Sequence, residues 1–189
     1  GMRKVVQTEA YQRIERAPCF VVCIGGYLDR FDILYKEDNT IKDSKEVRSY
    51  LQSKKKKLFS YEIFENLDLS KGNYEELEFQ FSSFVGCNFT QSSWNKSHLL
   101  FSNLQNTMLK NTKMEKMKIF DTDFSGATLE QVDFAGAKIK HVSFAGAKLI
   151  QVDFSKVLLA EEINFQDAQI VDCKFPEEVG SGLLYHENR

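Results

Sequence analysis

The chain has 189 residues, of which 42% are apolar, and its 25 basic residues nearly balance 27 acidic ones, for a formal net charge of −2. This balance excludes a polyanionic or polycationic chain, so bulk charge does not indicate nucleic-acid binding. The longest apolar run, Cys19–Ile24, is too short to span a bilayer, and we recognise no secretory signal. The four cysteines form no CxxC pair, which disfavours a zinc or redox motif and favours a reducing cytoplasm.

Residues 2–58 predict a small α+β element. Thr8–Arg16 predicts a short helix, Phe20–Ile24 predicts a buried strand, and Ser44 is the predicted N-cap of a second helix that continues through Lys54–Lys57. These four lysines fit either the solvated end of that helix or a contact with an anionic partner. We expect the element to cover the end of the domain that follows.

From Phe64 onward every fifth residue is large and apolar, through twenty consecutive positions. At 42% apolar content, chance would produce this with a probability of roughly 10⁻⁸. A period of five fits neither a helix nor a flat strand, but it fits one short extended side followed by a corner. Four sides close a square coil, and coils would stack about 4.8 Å apart. The positions are Phe64, Leu69, Tyr74, Phe79, Phe84, Phe89, Trp94, Leu99, Leu104, Leu109, Met114, Ile119, Phe124, Leu129, Phe134, Ile139, Phe144, Leu149, Phe154 and Leu159.

The residue two before each large one should also point inward, and it is mostly Ala, Val, Ser, Thr or Cys. The early blocks depart from this pattern, so we expect an irregular first coil; the departing residues are Glu62, Leu67, Gly72 and Leu77. One corner position recurs twenty residues apart and should adopt a positive φ. Its residues are Asn66, Gly86, Asn106, Gly126 and Gly146.

After Leu159 the register shifts by one residue, and we place the extra residue near Glu161 and Glu162. The pattern then resumes at Phe165 for most of a sixth coil, which Pro176 ends. The short tail contains Leu183, Leu184 and Tyr185, which either fold over the last coil or form a dimer contact.

Blocks such as Thr122-Asp123-Phe124-Ser125-Gly126 and Val132-Asp133-Phe134-Ala135-Gly136 resemble the A(D/N)LXX unit of pentapeptide-repeat proteins. The resemblance implies an all-β fold, a right-handed quadrilateral β-helix of about six coils. We assign residues 59–175 to this β-helix, residues 2–58 to the N-terminal α+β cap and residues 176–189 to a C-terminal tail.

Outward side chains should line up in columns twenty residues apart, and basic residues concentrate along one corner. Lysine is a good edge residue that discourages aggregation, which is one interpretation. The alternative is a docking surface for an anionic partner, either an acidic protein patch or a nucleic-acid backbone. No aromatic interleaving favours nucleic acid. This basic ridge comprises Lys96, His98, Lys116, Lys118, Lys138, Lys140 and Lys156.

Large apolar residues also fall at outward positions, and such residues need cover. The N-terminal element or an internal loop could supply it, or the residues could bind a partner or a second copy of the chain. This apolar patch comprises Phe81, Leu100, Phe101 and Phe120.

We find no catalytic constellation, and we expect no enzyme activity and no cofactor. Cys87 and Cys173 fall at small inward positions and are predicted core thiols. His98 and His141 point outward without Cys, Asp or Glu at ligand spacing, so no metal site is expected.

The first hypothesis for function is a non-enzymatic cytoplasmic scaffold that binds a protein partner, with a homodimer through an end cap or the apolar patch as a further option. The resemblance also permits a second one, because some pentapeptide-repeat proteins imitate duplex DNA, bind DNA gyrase and protect it from quinolones. Charge disfavours this alternative, since residues 64–175 contain 15 acidic and 11 basic residues, a net of −4, and their middle coils are basic.

Overall fold

The computed structural model describes residues 43–176. Within them lie one helix, α1 (Ser44–Gln52), and ten short strands. The predicted helix at Thr8–Arg16, the predicted strand at Phe20–Ile24 and the tail residues Leu183 to Tyr185 lie outside the described residues. The strands are β1 (Leu58–Ser60), β2 (Glu78–Gln80), β3 (His98–Leu100), β4 (Met108–Lys110), β5 (Lys118–Asp123), β6 (Thr128–Asp133), β7 (Lys138–Ser143), β8 (Lys148–Asp153), β9 (Leu159–Asn164) and β10 (Gln169–Val171).

The strands form two parallel sheets that stack successive coils. The six-stranded sheet has the order β1-β2-β3-β5-β7-β9, and the four-stranded sheet has the order β10-β8-β6-β4. Partners lie twenty residues apart up to β8, as Phe79, Leu99 and Ile119 do, and 21 apart where β9 and β10 pair, as Ile139 and Ala160 do. Bridges with the same spacing, such as Ile63 with Ser83, form the other two sides. The described chain is therefore a four-sided parallel β-solenoid of about six coils, as predicted. We call the side of the six-stranded sheet the first face and number the others along the chain.

The core consists of the predicted inward positions. Nineteen of the twenty, from Phe64 to Phe154, are at most 2% exposed, and Phe59 extends the same register one block earlier than predicted. Aromatic rings stack between coils, with centroids 5.3 Å apart for Phe124 and Phe144. Because one large residue is buried for every five, apolar burial is distributed evenly along the solenoid and dominates its stability.

The corners have a left-handed backbone throughout. A positive φ recurs at every fifth position from Tyr61 to Gln151, which confirms the predicted corner from Asn66 to Gly146 and extends it to all four corners. Most of these residues are not glycine, so each corner stores some strain. Backbone hydrogen bonds between coils hold this geometry, as when Asn66 N–H donates to Val85 O at 2.8 Å.

Where Asp, Asn or Ser precedes the inward residue, its side chain often stabilises the corner that follows. Asp133 Oδ1 accepts from Ala135 N–H at 2.9 Å, and Asn88 Oδ1 accepts from Thr90 N–H at 3.0 Å. Such bonds span the inward residue and satisfy an amide that the strand ladder leaves open. They give the Asp or Asn of the repeat its physical role.

The first coil is regular, so the prediction of an irregular one is wrong. Its bridges, such as Asp68 with Asn88, keep the twenty-residue spacing. Leu67 and Leu77 are buried at the small position. Gly72 is required because a Cβ there would overlap the Tyr74 ring, whose hydroxyl donates to Leu69 O at 2.7 Å.

The register shift lies earlier than predicted. Val157 still takes the small inward position, since its N–H donates to Phe154 O, but Ala160 rather than Leu159 lies opposite Ile139. The extra residue therefore falls at Leu158–Leu159 and not near Glu161 and Glu162. Because the bulge lies before β9, this six-residue strand pairs with β7 in a single register. The shift also explains why Leu159, the twentieth predicted core residue, is only half-buried.

Helix α1 differs from its prediction at both ends. Asp43 is the N-cap, with Oδ1 accepting from Lys45 N–H at 2.7 Å, whereas the Ser44 hydroxyl accepts from Asp68 N–H at 2.9 Å. The helix ends at Gln52, so Lys54 does not cap its dipole. Instead Lys54 Nζ donates to Glu75 O at 2.6 Å, and burial lowers its pKa against the opposing charges of nearby glutamates.

The helix covers the N-terminal end of the solenoid. Val47 and Leu51 are buried against the core, and Gln52 Oε1 accepts from Asn73 N–H at 2.8 Å. These contacts satisfy backbone groups that an open β edge would expose. Within residues 43–176, no helix is long and apolar enough to cross a bilayer.

Candidate functional site

The structure places all seven residues of the basic ridge on one side of the solenoid. Lys96, Lys116 and Lys156 lie in the corner column that precedes the first face. The next outward column contains His98, Lys118 and Lys138, which pair in register on β3, β5 and β7. Lys140 lies in the second outward column of the same face, across the buried Ile139.

Three ridge residues have local partners. His98 Nδ1 lies 3.4 Å from Glu78, Lys140 Nζ lies 3.8 Å from Glu161, and Lys118 Nζ lies 5.7 Å from the Phe120 ring centroid. Within residues 43–176, no ion pair within 4 Å involves the other four; these are Lys96, Lys116, Lys138 and Lys156. The positive potential of the ridge comes mainly from these four exposed ammonium groups.

Two further features shape the ridge. Gly136 stands in the corner column between Lys116 and Lys156, where the twenty-residue spacing places it, and contributes no side chain there. Leu158 is 70% exposed, because the register shift turns it outward beside the lysines. The sequence analysis missed the leucine, because its orientation depends on the position of the shift.

A shallow groove of about 420 Å³ lies at the N-terminal end of the ridge. Its lining contains both signs of charge, from Lys57 and Lys96 against Glu76 and Glu78. It is not a concentrated anion site, and the acidic pair marks where the ridge ends.

The apolar patch occupies the opposite edge of the first face. Leu100 and Phe120 pair on β3 and β5, while Phe81 and Phe101 stack at the following corner with centroids 5.0 Å apart. Tyr61, which the sequence analysis missed, extends this stack at 5.2 Å from Phe81. All five side chains are half-buried rather than fully exposed.

His141 has two acidic neighbours, which the sequence analysis did not place beside it. Its Nδ1 lies 3.1 Å from Asp121 Oδ1 in the preceding coil, and its Nε2 contacts Glu162 in the following one. The three form a column of hydrogen-bonded pairs that joins three coils. Among the described residues, no group of three or more His, Cys, Asp or Glu side chains could hold a metal ion.

The two cysteines in the described part of the chain are free thiols. Cys87 is buried, its Sγ donates to Phe64 O at 2.6 Å, and burial raises its pKa to about 12. Burial also raises the pKa of Cys173. Both thiols are therefore poor nucleophiles at neutral pH.

Comparison with known proteins agrees with this architecture. The family model for a pentapeptide repeat region matches residues 87–165. A trypsin-treated form of QnrB1, a plasmid-mediated fluoroquinolone resistance protein, is similar at 19% identity over 63% of this chain and 67% of its own, with a TM-score of 0.50. The pentapeptide repeat protein Rfr23 from the cyanobacterium Cyanothece 51142 is 16% identical over 70% of this chain and 93% of its own, with a TM-score of 0.48. No curated protein matches the chain significantly.

The fold and its filled core define a β-solenoid built from five-residue blocks. Residues 87–165 match the pentapeptide-repeat family model, and the fold of the described residues is that of pentapeptide-repeat proteins. At these identities the structural similarity supports the fold alone.

Proposed function

We propose that this protein is a non-catalytic scaffold that binds an anionic protein partner on its basic ridge. The supporting observation is the alignment of six lysines on one side of the solenoid, five of them without an ion pair to another described residue. The backbone of the solenoid is already ordered before a partner binds. Binding therefore costs little backbone conformational entropy.

A non-catalytic role fits both the core and the family. The interior is filled by the inward residues, so the ligand-binding capacity of the described chain lies on its outer faces. Proteins of this family are generally scaffolds for interaction rather than enzymes. The free thiols Cys87 and Cys173 fit a reducing cytoplasm, which we propose as the location.

A labelled poly-glutamate peptide of about 20 residues tests the ridge by fluorescence anisotropy at low salt. We compare the wild type with Lys116→Glu/Lys118→Glu and with the control Lys113→Glu/Lys148→Glu. Both double variants change the net charge equally, but the control residues lie on the fourth and third faces. Glutamate is compatible with the corner at position 116, because Glu76 has φ 59 in the same column.

We expect the ridge variant to weaken binding by about tenfold or more and the control by less than about threefold. Equal losses in both variants would mean that only net charge matters. No binding by the wild type would contradict the proposal directly. Urea unfolding of all variants checks that the fold is retained.

Fluoroquinolone protection through DNA gyrase is the second candidate, because the family resemblance permits it and QnrB1 is a fluoroquinolone resistance protein. A DNA mimic needs a dense acidic face, whereas the ridge is basic. A gyrase supercoiling assay with titrated protein, with and without a quinolone, separates the two. We expect no effect; inhibition or protection at micromolar concentrations would favour the gyrase alternative.

A further inference from the structure

Gly136 forms a notch in the basic ridge. It lies in the corner column between Lys116 and Lys156 with φ +75, and a Cβ there would lie 3.0 Å from Lys116 Cγ. Lys138 follows two residues later, on the first face, and is exposed. The missing side chain at Gly136 leaves room for the Lys116 stem to lie over the glycine backbone, and we call this position the notch. Because Gly136 N–H already donates to Lys156 O at 2.9 Å, the ammonium groups of Lys116, Lys138 and Lys156 are the donors that this part of the ridge offers to a ligand.

Leu158 provides an apolar contact beside the notch. The extra residue at Leu158–Leu159 falls opposite Lys138 in the six-stranded sheet. Bulges redirect side chains, and here the bulge leaves Leu158 70% exposed, two residues after Lys156. A large apolar side chain among ammonium groups favours a ligand that carries both an acid and an apolar group.

The length of the basic surface limits the ligand. From Lys96 to Lys156 it spans three coil steps, about 14 Å, which equals four or five residues of extended peptide. Glu76 and Glu78 precede it in the same two columns, and Glu161 pairs with Lys140 on the same face. A continuous phosphate backbone would meet these carboxylates, whereas a short acidic peptide would not.

We propose that the notch binds a carboxylate of an acidic segment in a partner protein, and that Leu158 contacts a large apolar side chain of that segment. The inference rests on the proposed function and adds the chemistry of the partner: an acidic residue close in sequence to an apolar one. The site comprises Lys116, Gly136, Lys138, Lys156 and Leu158.

The test uses three labelled probes in anisotropy titrations: a 12-residue glutamate-rich peptide with two leucines, the same peptide with alanines instead, and a 12-residue oligothymidylate. We expect the wild type to bind the leucine peptide at least about threefold more tightly than the alanine peptide. Leu158→Ser should remove this preference. Gly136→Asn should weaken binding of both peptides about fivefold, because the new side chain would displace the Lys116 stem that lies over the glycine.

Gly146→Asn is the matched control, because Gly146 also has a positive φ and nothing lies within 4 Å of a Cβ there. Asparagine already occupies that corner column at Asn66 and Asn106. We expect this variant to bind like the wild type.

The outcomes separate the two proposals. If Lys116→Glu/Lys118→Glu abolishes binding while Gly136→Asn and Leu158→Ser leave it unchanged, the notch inference fails and the scaffold proposal stands. If neither peptide binds the wild type, both fail. Tighter binding of oligothymidylate than of the leucine peptide would overturn the assignment of a peptide ligand.

Discussion

Arg48 Nη2 donates to the carbonyl oxygen of Asp68 at 2.7 Å and joins helix α1 to the exposed edge of the first coil. The Ser44 hydroxyl accepts from the N–H of the same residue, so one edge residue has both backbone groups satisfied by the helix. A short helix thus replaces the hydrogen bonds that a preceding coil would have made. This arrangement protects the N-terminal edge from pairing with another chain.

Replacing Arg48 should therefore destabilise the solenoid from its N-terminal end. Arg48→Met keeps much of the aliphatic stem but removes the donor, and we expect a loss of about 1–2 kcal/mol in the free energy of unfolding. Lys45→Met, on the exposed side of the same helix, should change it by less than about 0.5 kcal/mol. Urea unfolding measures both; equal effects would mean that the Arg48 hydrogen bond adds no stability.

The five-residue period places Leu149 and Leu159 in equivalent positions. The register shift nevertheless predicts that substituting them by alanine lowers the free energy of unfolding by different amounts. Leu149 is fully buried, whereas Leu159 is half-buried and precedes the inward Ala160. Leu149→Ala should cost about 3–4 kcal/mol through its cavity, and Leu159→Ala about 1 kcal/mol. Similar losses in chemical denaturation would place Leu159 in the core and move the shift to Glu161 and Glu162.

The sequence predicted the core because a period of five has only one explanation in backbone geometry. It did not locate the shift, since an extra residue anywhere between Val157 and Ile163 brings Ile163 and Phe165 inward in place of Glu162 and Asn164. The pairing of β9 decides between these positions. The spacing of apolar residues alone does not show where the pairing between two strands is continuous and where it is interrupted.

The same limit applies to the candidate site. Spacing by twenty correctly gathered the ridge on one side, because outward columns follow directly from the coil length. It missed Glu162 beside His141, since Glu162 is 21 residues away and aligns only after the shift; Asp121 is 20 residues away, so the same spacing could have found it. The start of helix α1 was misplaced by one residue because Asp43 and Ser44 are both good N-caps, and only their contacts separate them.

The ionisation of the Asp153 carboxyl group should make the stability of the protein depend on pH. Burial would raise its pKa, but hydrogen bonds from the Ser155 hydroxyl and backbone N–H, with Lys174 and Lys156 nearby, lower the pKa below the ordinary aspartate value of 3.8. A carboxylate with a depressed folded pKa stabilises the protein above its unfolded pKa, and this contribution is lost as the pH falls through the folded pKa.

Ser155→Ala removes one of these bonds, so the Asp153 pKa should rise toward 3.8. The wild type should be more stable than this variant at pH 6, and the difference should shrink below about pH 4. Urea unfolding across this range measures it. In an Asp153→Asn background the serine substitution should have no such pH dependence; if the dependence persists, another group causes it.

The column of Asp121, His141 and Glu162 should couple the coils on either side of the register shift. His141 contacts one carboxylate in the coil before it and one in the coil after it, so removing the imidazole disrupts both contacts. In a double-mutant cycle, Asp121→Ala and His141→Ala should show a coupling energy of about 0.5–1.5 kcal/mol at pH 6. The pair Gln131 and Gln151, which also bond between coils on the exposed surface, is the uncharged control and should couple by less. A coupling no larger than that of the glutamine pair would mean that the core alone holds these coils together.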